Sequence, residues 1–153
     1  MTRGTLDQMP EALGAAFADG DAAHPWRVQE GANVELLGRM MQAIAAGRFD
    51  ELHGYLADDV SFEMAVPDAL PWICHAHGRD EVAQAIETNF GVVREQRPEP
   101  LSLVCQGDTL MLMARESGRM AATGEPYQVM LTQQYTFRDG RLAAFRAVVA
   151  PAA

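Results

Sequence analysis

The chain has 153 residues, 48% of them hydrophobic, which suits one domain with a buried core and excludes a disordered polymer. With 12 Lys+Arg against 21 Asp+Glu and a net charge of −9, it lacks the basic surface that nucleic acid or an anionic membrane requires. Cys74 and Cys105 are too few for a disulfide framework and have no metal-ligand spacing, so two free thiols in a cytoplasmic protein are expected.

In chain order, Leu6, Met9, Leu13 and Phe17 recur at helical spacing, with Gly20 as a stop and Ala22-Ala23-His24-Pro25 as loop. Residues 1–30 read as an N-terminal helical extension that packs across the domain, covers a cavity or meets a partner. The domain proper is expected at 31–153. Asp7, Glu11 and Asp19 interrupt any apolar signal core, and no uncharged run is long enough to span a bilayer. The spacing predicts a helix over about 33–46, with Asn33 as its cap and Val34, Leu37, Met41 and Ile44 as its stripe, widened by Leu36 and Met40. A short helix from Asp50 turns Leu52, Tyr55 and Leu56 inward and stops at Ala57-Asp58-Asp59. Residues 60–64 then alternate as a strand, and 65–78, punctuated by Pro67, Pro71 and Gly78, read as irregular. A third helix is predicted from about Asp80 to Arg94, with Val82, Ile86, Phe90 and Val93 on one side. Period-two patterns follow near 101–105, 109–117, 126–138 and 141–149. Asp139-Gly140 marks a two-residue type I′ hairpin, which needs positive φ at both positions.

Three helices followed by an antiparallel meander define an α+β fold, a cone-shaped curved sheet packed on three helices. A cone has a mouth, so a single, mostly apolar pocket is expected, and nine Met provide adaptable walls. Along 127–138 one face carries Tyr127, Val129, Leu131, Gln133, Tyr135 and Phe137 and should point inward. Gln133 is its one strongly polar member. It is either a satisfied core amide or a ligand contact, because an unpaired buried amide costs about 1–3 kcal/mol.

Strand 109–117 is apolar on both faces. Met111 and Met113 would bring in Arg115, suited to an anionic or carbonyl group. Leu110, Leu112 and Ala114 would bring in Glu116, whose pKa would rise on burial and which could act as a base. Both could also sit near the strand end in solvent. His75 and His77, at i and i+2, share a face and suit acid–base work, or are plain loop histidines. A metal site would need a third ligand, such as His53 or Glu63, so none is expected. Cys74 beside His75 diverges from it on an extended backbone. Glu63 points away from the pocket, and Trp72 can roof the mouth.

Four stretches carry a family resemblance. They are Leu36–Asp59 (LLGRMMQAIAAGRFDELHGYLADD), Val60-Ser61-Phe62-Glu63-Met64, His77-Gly78-Arg79-Asp80-Glu81-Val82, and Thr123-Gly124-Glu125-Pro126-Tyr127 through Arg138-Asp139-Gly140-Arg141-Leu142. Here the chain resembles the nuclear transport factor 2-like superfamily and its SnoaL-like group, over about 32–149. The resemblance implies the cone fold, pairing through the convex sheet face as a homodimer, and relatives that include ketosteroid isomerases, polyketide cyclases, dehydratases and limonene epoxide hydrolases. Where ketosteroid isomerases carry a tyrosine, an aspartate base and a protonated aspartate, this chain has Met40, Met64 and Gln133. Where the epoxide hydrolases place a last-strand carboxylate it has Ala147, and their water-holding pair falls near Phe62 and Met64. Their strand Arg-x-Asp is echoed loosely by Arg115-Glu116. The Gly124–Tyr127 stretch resembles the phenazine-pathway members, whose catalytic acid has no counterpart.

The expected function is a pocket that binds a small, largely apolar organic molecule and transforms it, if at all, without a cofactor, as an isomerase, cyclase, dehydratase or hydrolase would. The alternative is a carrier, a sensor or a dimerisation module. The expected substrate-binding residues are Met40, Phe62, Met64, Trp72, Met113, Tyr127, Val129, Leu131, Gln133 and Ala147. Catalytic roles are unassigned, with His75, Arg115 and Glu116 as the candidates.

Overall fold

The structure is a computed structural model that describes residues 6–18 and 27–152. Gly20 and the loop expected at 22–25 lie outside the described residues. A 3₁₀ turn at Leu6–Gln8 leads into α1 (Met9–Ala18), whose Met9 and Leu13 are buried. Helix α1 packs on α2 (Arg27–Ala45). The close approach depends on two small residues one heptad apart on α2. A Cβ on Gly31 would come within 3.3 Å of the Phe17 ring, and one on Gly38 within 3.4 Å of Pro10. Arg27 closes the contact from above, its guanidinium 3.5 Å from the Phe17 ring centroid.

Helix α2 starts well before Asn33, so Asn33 is not its cap. The residue is buried in mid-helix, and its amide donates to the Gly107 carbonyl (3.5 Å) and the Asp108 carboxylate (3.4 Å). One turn earlier, buried Glu30 accepts from the Gly107 N–H at 2.9 Å. A residue type that caps helices by bonding nearby backbone has here bonded a distant turn instead. Helix α2 is continuous across the 30/31 position expected to divide extension from domain.

A second 3₁₀ stretch, Phe49–Tyr55, buries Leu52. Six strands follow: β1 (Leu56–Ala65), β2 (His75–His77), β3 (Val93–Gln106), β4 (Thr109–Met120), β5 (Pro126–Arg138) and β6 (Arg141–Pro151). Helix α3 (Arg79–Gly91) lies between β2 and β3. The sheet order is β2-β1-β6-β5-β4-β3. All pairs are antiparallel except β1–β6, which is parallel because β6 returns beside β1 after the whole meander. The sheet is therefore mixed, while the α+β cone layout holds.

Three local expectations change. Leu56 opens β1 rather than ending a helix. Strand β2 lies in the stretch expected to be irregular, since three residues are too short to display a period. Val93 belongs to β3, opposite Met120, and not to the α3 stripe. Strand β3 was obscured by Pro98 and Pro100, which lack a ladder donor, and it tolerates them as an edge strand. The β5–β6 turn is as expected, with φ of 52° at Asp139 and 72° at Gly140. Bulges interrupt β1–β6, β3–β4 and β5–β6, and each adds bend and twist. The bent sheet wraps α2 and α3 around a core that includes Leu37, Leu52, Leu110, Leu112 and Leu142.

Candidate functional site

The concave side of the sheet leaves a cavity of about 120 Å³. Helix α2 supplies Leu37, Met40, Met41 and Ile44, and α3 supplies Val82, Ile86, Asn89 and Phe90. Phe62 and Met64 come from β1 and Trp72 from the β1–β2 connection. The rest of the sheet adds Gln96, Glu116, Leu131, Gln133, Tyr135, Leu142 and Phe145. Phe145 packs against both Phe62 and Tyr135, with ring centroids 5.1 Å apart in each pair. Among the described residues no Lys, Arg or His lines this cavity.

Among the described residues Glu116 is its one acidic wall residue, and it is only 8% exposed. The Tyr127 hydroxyl donates to its Oε2 at 2.8 Å, and the Gln96 side chain bonds it as well. Burial pushes the Glu116 carboxyl above its ordinary value, and the two hydrogen bonds, which favour the carboxylate, only partly oppose this. Tyr127 is itself held well above the ordinary phenol range, by burial first and then by Glu116, so it stays protonated and remains the donor. Tyr135 is raised too, by burial and then by Glu116. Cys105, half-buried on β3, is pushed up to about 11 by burial and is an inert thiol at neutral pH.

The raised carboxyl has a consequence for stability. An acid whose pKa is higher folded than unfolded binds more protons in the native state over the interval between the two values. Unfolding free energy therefore falls as pH rises from its ordinary value of 4.5 through the folded value. Glu116→Gln should remove this slope. In urea titrations at stepped pH, the variant should gain on the wild type as pH rises, and parallel curves would contradict the burial argument.

Asn89 organises the roof. Its side-chain oxygen accepts from the Ile73 N–H at 2.7 Å, and its Nδ2 donates to the Ile73 carbonyl at 3.0 Å. This two-way clamp fixes the β1–β2 connection and thereby Trp72, whose ring meets Tyr127 edge-on with centroids 6.2 Å apart. The buried Trp72 Nε1 has no hydrogen-bond partner among the described residues.

Of the residues expected to bind substrate, Met40, Phe62, Met64, Trp72, Leu131 and Gln133 line the cavity. Tyr127 stands behind Glu116. Val129 packs with Leu131 and Val149 in a small cluster beneath Trp72 and Tyr127, and Ala147 is buried opposite Gln133, but neither lines the cavity. Met113 is a correction: it is 42% exposed on the convex face, because Leu110, Leu112, Ala114 and Glu116 take the interior side of β4. The same alternation puts Arg115 outside, where it pairs with Glu99 at 3.7 Å. His75 and His77 are exposed on β2, opposite Glu63 and Ser61, and do not line the cavity. His53 pairs with Asp80 at 3.0 Å. Among the described residues no group of three or more His, Cys, Asp or Glu could hold a metal ion. None of the helices there is long and apolar enough to cross a membrane.

Sequence reasoning missed Asn89 and Gln96. Asn89 had a signal, since it follows Val82 by seven residues on the apolar stripe of α3. Gln96 had none, because its inward direction comes from a bulge. A second, more open cavity shares Ile44, Phe90 and Gln96 with the first and is lined further by Leu6 and Asp7, which brings the N-terminal segment beside the site.

A bent sheet wrapped on helices around an apolar cavity is the architecture of the nuclear transport factor 2-like α+β proteins. The chain belongs to the SnoaL-like domain family, which matches residues 37–145. Its fold is shared by a protein from Rhodopseudomonas palustris provisionally named an isomerase, 24% identical over 72% of this chain and 82% of that one, with a TM-score of 0.64. It is shared by a provisionally named SnoaL-like polyketide cyclase from Jannaschia sp. CCS1, 16% identical over 85% and 91% of the two chains, with a TM-score of 0.67. An LEH-like epoxide hydrolase from M. tuberculosis is 14% identical over 78% and 83%, with a TM-score of 0.60. At such identities the likeness concerns the fold alone. No curated protein matches the chain.

Proposed function

We propose that the protein binds a small, largely apolar organic molecule in the cavity and transforms it without a cofactor, with Glu116 as the proton-transfer group. The observation that carries this reading is one buried carboxyl, held by Tyr127 and Gln96, in a cavity otherwise walled by apolar and uncharged side chains. Such a group takes a proton from a bound molecule as carboxylate and returns it as acid, which suits isomerisation, cyclisation, dehydration or hydrolysis. Gln133 has no side-chain hydrogen bond among the described residues, so its amide is open to an oxygen of the ligand. One water needs about 10–15 Å³ of such space, so the cavity suits a molecule on the order of ten non-hydrogen atoms. The names borne by the isomerase and cyclase neighbours agree with the reading. A carrier or sensor is favoured instead by Met40, Met64 and Gln133, which stand where catalytic relatives of the fold place proton-handling groups.

A panel of neutral compounds of that size, followed by thermal shift and product analysis, tests the reading. Gln133→Leu should weaken binding roughly 2- to 10-fold, the worth of one hydrogen bond. Arg115→Ala, on the opposite face of the sheet, should leave it unchanged. Absence of saturable binding across the panel, or an equal loss in both variants, would sink it. Binding without any product would leave the carrier.

We also infer a homodimer formed through the convex face. Val104 and Met111 are register partners there, and Met113 and Val148 flank Thr132, all four of them exposed. A patch at the centre of a sheet face is self-complementary under two-fold symmetry. Met113→Glu with Val148→Glu should convert a dimer into monomers in sedimentation. A wild type that is already monomeric at micromolar concentration rules the dimer out.

A further inference from the structure

Two features beside Glu116 are unexplained by the fold alone. The first is Gly118, which lies opposite Tyr127 in the β4–β5 ladder. A Cβ there would stand 2.7 Å from Tyr127 Cε1, 2.9 Å from its hydroxyl oxygen and 2.9 Å from the Arg94 carbonyl oxygen. The Tyr127 ring thus lies directly over the bare backbone of Gly118, and only from there does its hydroxyl reach Glu116, two residues away on the same face. The second feature is on the neighbouring strand. Val93 pairs with Met120 and Pro98 with Glu116, so both face the interior, which regular alternation forbids for residues five apart. The difference is absorbed between Arg94 and Arg97, where the register slips and Glu95 adopts φ 54°. The extra residue turns Gln96 to the interior, where it lines the cavity. Glu95 itself points outward and pairs with Arg119 at 3.1 Å.

We propose that Gly118 and the bulge at Glu95 are the positioning elements of the site: one seats Tyr127 and the other turns Gln96, so that two donors from adjacent strands hold the Glu116 carboxyl in one orientation toward the cavity. The proposal rests on Glu116 as the proton-transfer group. It explains why a strained non-glycine residue and an obligatory glycine face each other across β3 and β4 just beyond the same carboxyl, since such strain clusters at functional sites. The titratable groups facing Glu116 are Tyr127 and Tyr135, both from β5. The charged neighbours Arg115 and Glu99 lie on the other face.

The test reads Glu116 directly and needs no substrate. The infrared difference between wild type and Glu116→Gln isolates its carboxyl band, which is then followed with pH. Gly118→Ala, Tyr127→Phe and Gln96→Leu should each move the titration to higher pH, because each removes a donor that favours the carboxylate. Gly118→Ala combined with Tyr127→Phe should move it no further than Tyr127→Phe alone, since both act through one hydroxyl. Glu95→Gly, which accepts the positive φ, should leave it in place. Additive movements, or a Gly118→Ala protein that loses thermal stability while its Glu116 titrates as in wild type, overturn the proposal. If Gly118→Ala does not fold, an unmoved Glu116 in Tyr127→Phe or in Gln96→Leu overturns it alone. A protein that binds no panel compound still gives this titration, so the two readings fail separately.

Discussion

Glu116→Gln is expected to lower turnover of any compound the protein transforms by about 10²- to 10⁴-fold, the usual worth of a positioned acid–base group. Glutamine keeps the shape of the side chain and can still meet the Tyr127 hydroxyl with its oxygen, so the cavity and its ligand affinity should survive. The loss should therefore fall on kcat, with KM little changed. Steady-state kinetics of wild type and variant on the same compound check this. A variant with undiminished kcat would remove Glu116 from the chemistry and turn attention to the other polar wall residues, Asn89, Gln96, Gln133 and Tyr135. The contrast with Arg115 matters here, because the two are sequence neighbours and only one lies inside.

The largest effect on stability is expected at Leu112, which is fully buried in the core on the interior side of β4. Leu112→Ala should cost about 2–5 kcal/mol, made up of the lost transfer free energy and the void left behind. Urea unfolding should show a lower midpoint with an unchanged slope. Val104→Ala, on the exposed convex face, should stay within about 0.5 kcal/mol for the monomer and serves as the control. A Leu112→Ala cost below about 1 kcal/mol would mean that the surrounding core collapses into the void.

Much of the fold could be read from the chain because two periods dominate it. The stripe from Val34 to Ile44 and the alternation along 127–138 each report a face, and Asp139-Gly140 reports a turn. The site was less legible, for three physical reasons. Strand β4 is apolar on both sides, so period two could not choose between Arg115 and Glu116. The answer lies in how β4 registers with β5, a non-local fact. Gln96 owes its direction to a bulge, and a bulge is one residue of mispairing that leaves no trace in hydropathy. Asn33 reads as a cap because capping is local, yet its partners, Gly107 and Asp108, lie far along the chain. The resemblance identified the family and the wall positions Met40, Met64 and Gln133. It touched Glu116 only through the loose echo of a strand Arg-x-Asp in Arg115-Glu116, which does not say which of the two faces inward.

The prolines that hid β3 from view also bear on how this protein behaves when concentrated. An open sheet offers its outermost strands to any passing chain as templates for further strands, the first step toward fibres. At one margin β3 presents Pro98 and Pro100, two positions with no N–H to offer an incoming backbone. At the other, β2 is only three residues long, too short to seed a stable ladder. Growth sideways is thus disfavoured at both margins, by missing donors at one and by sheer shortness at the other.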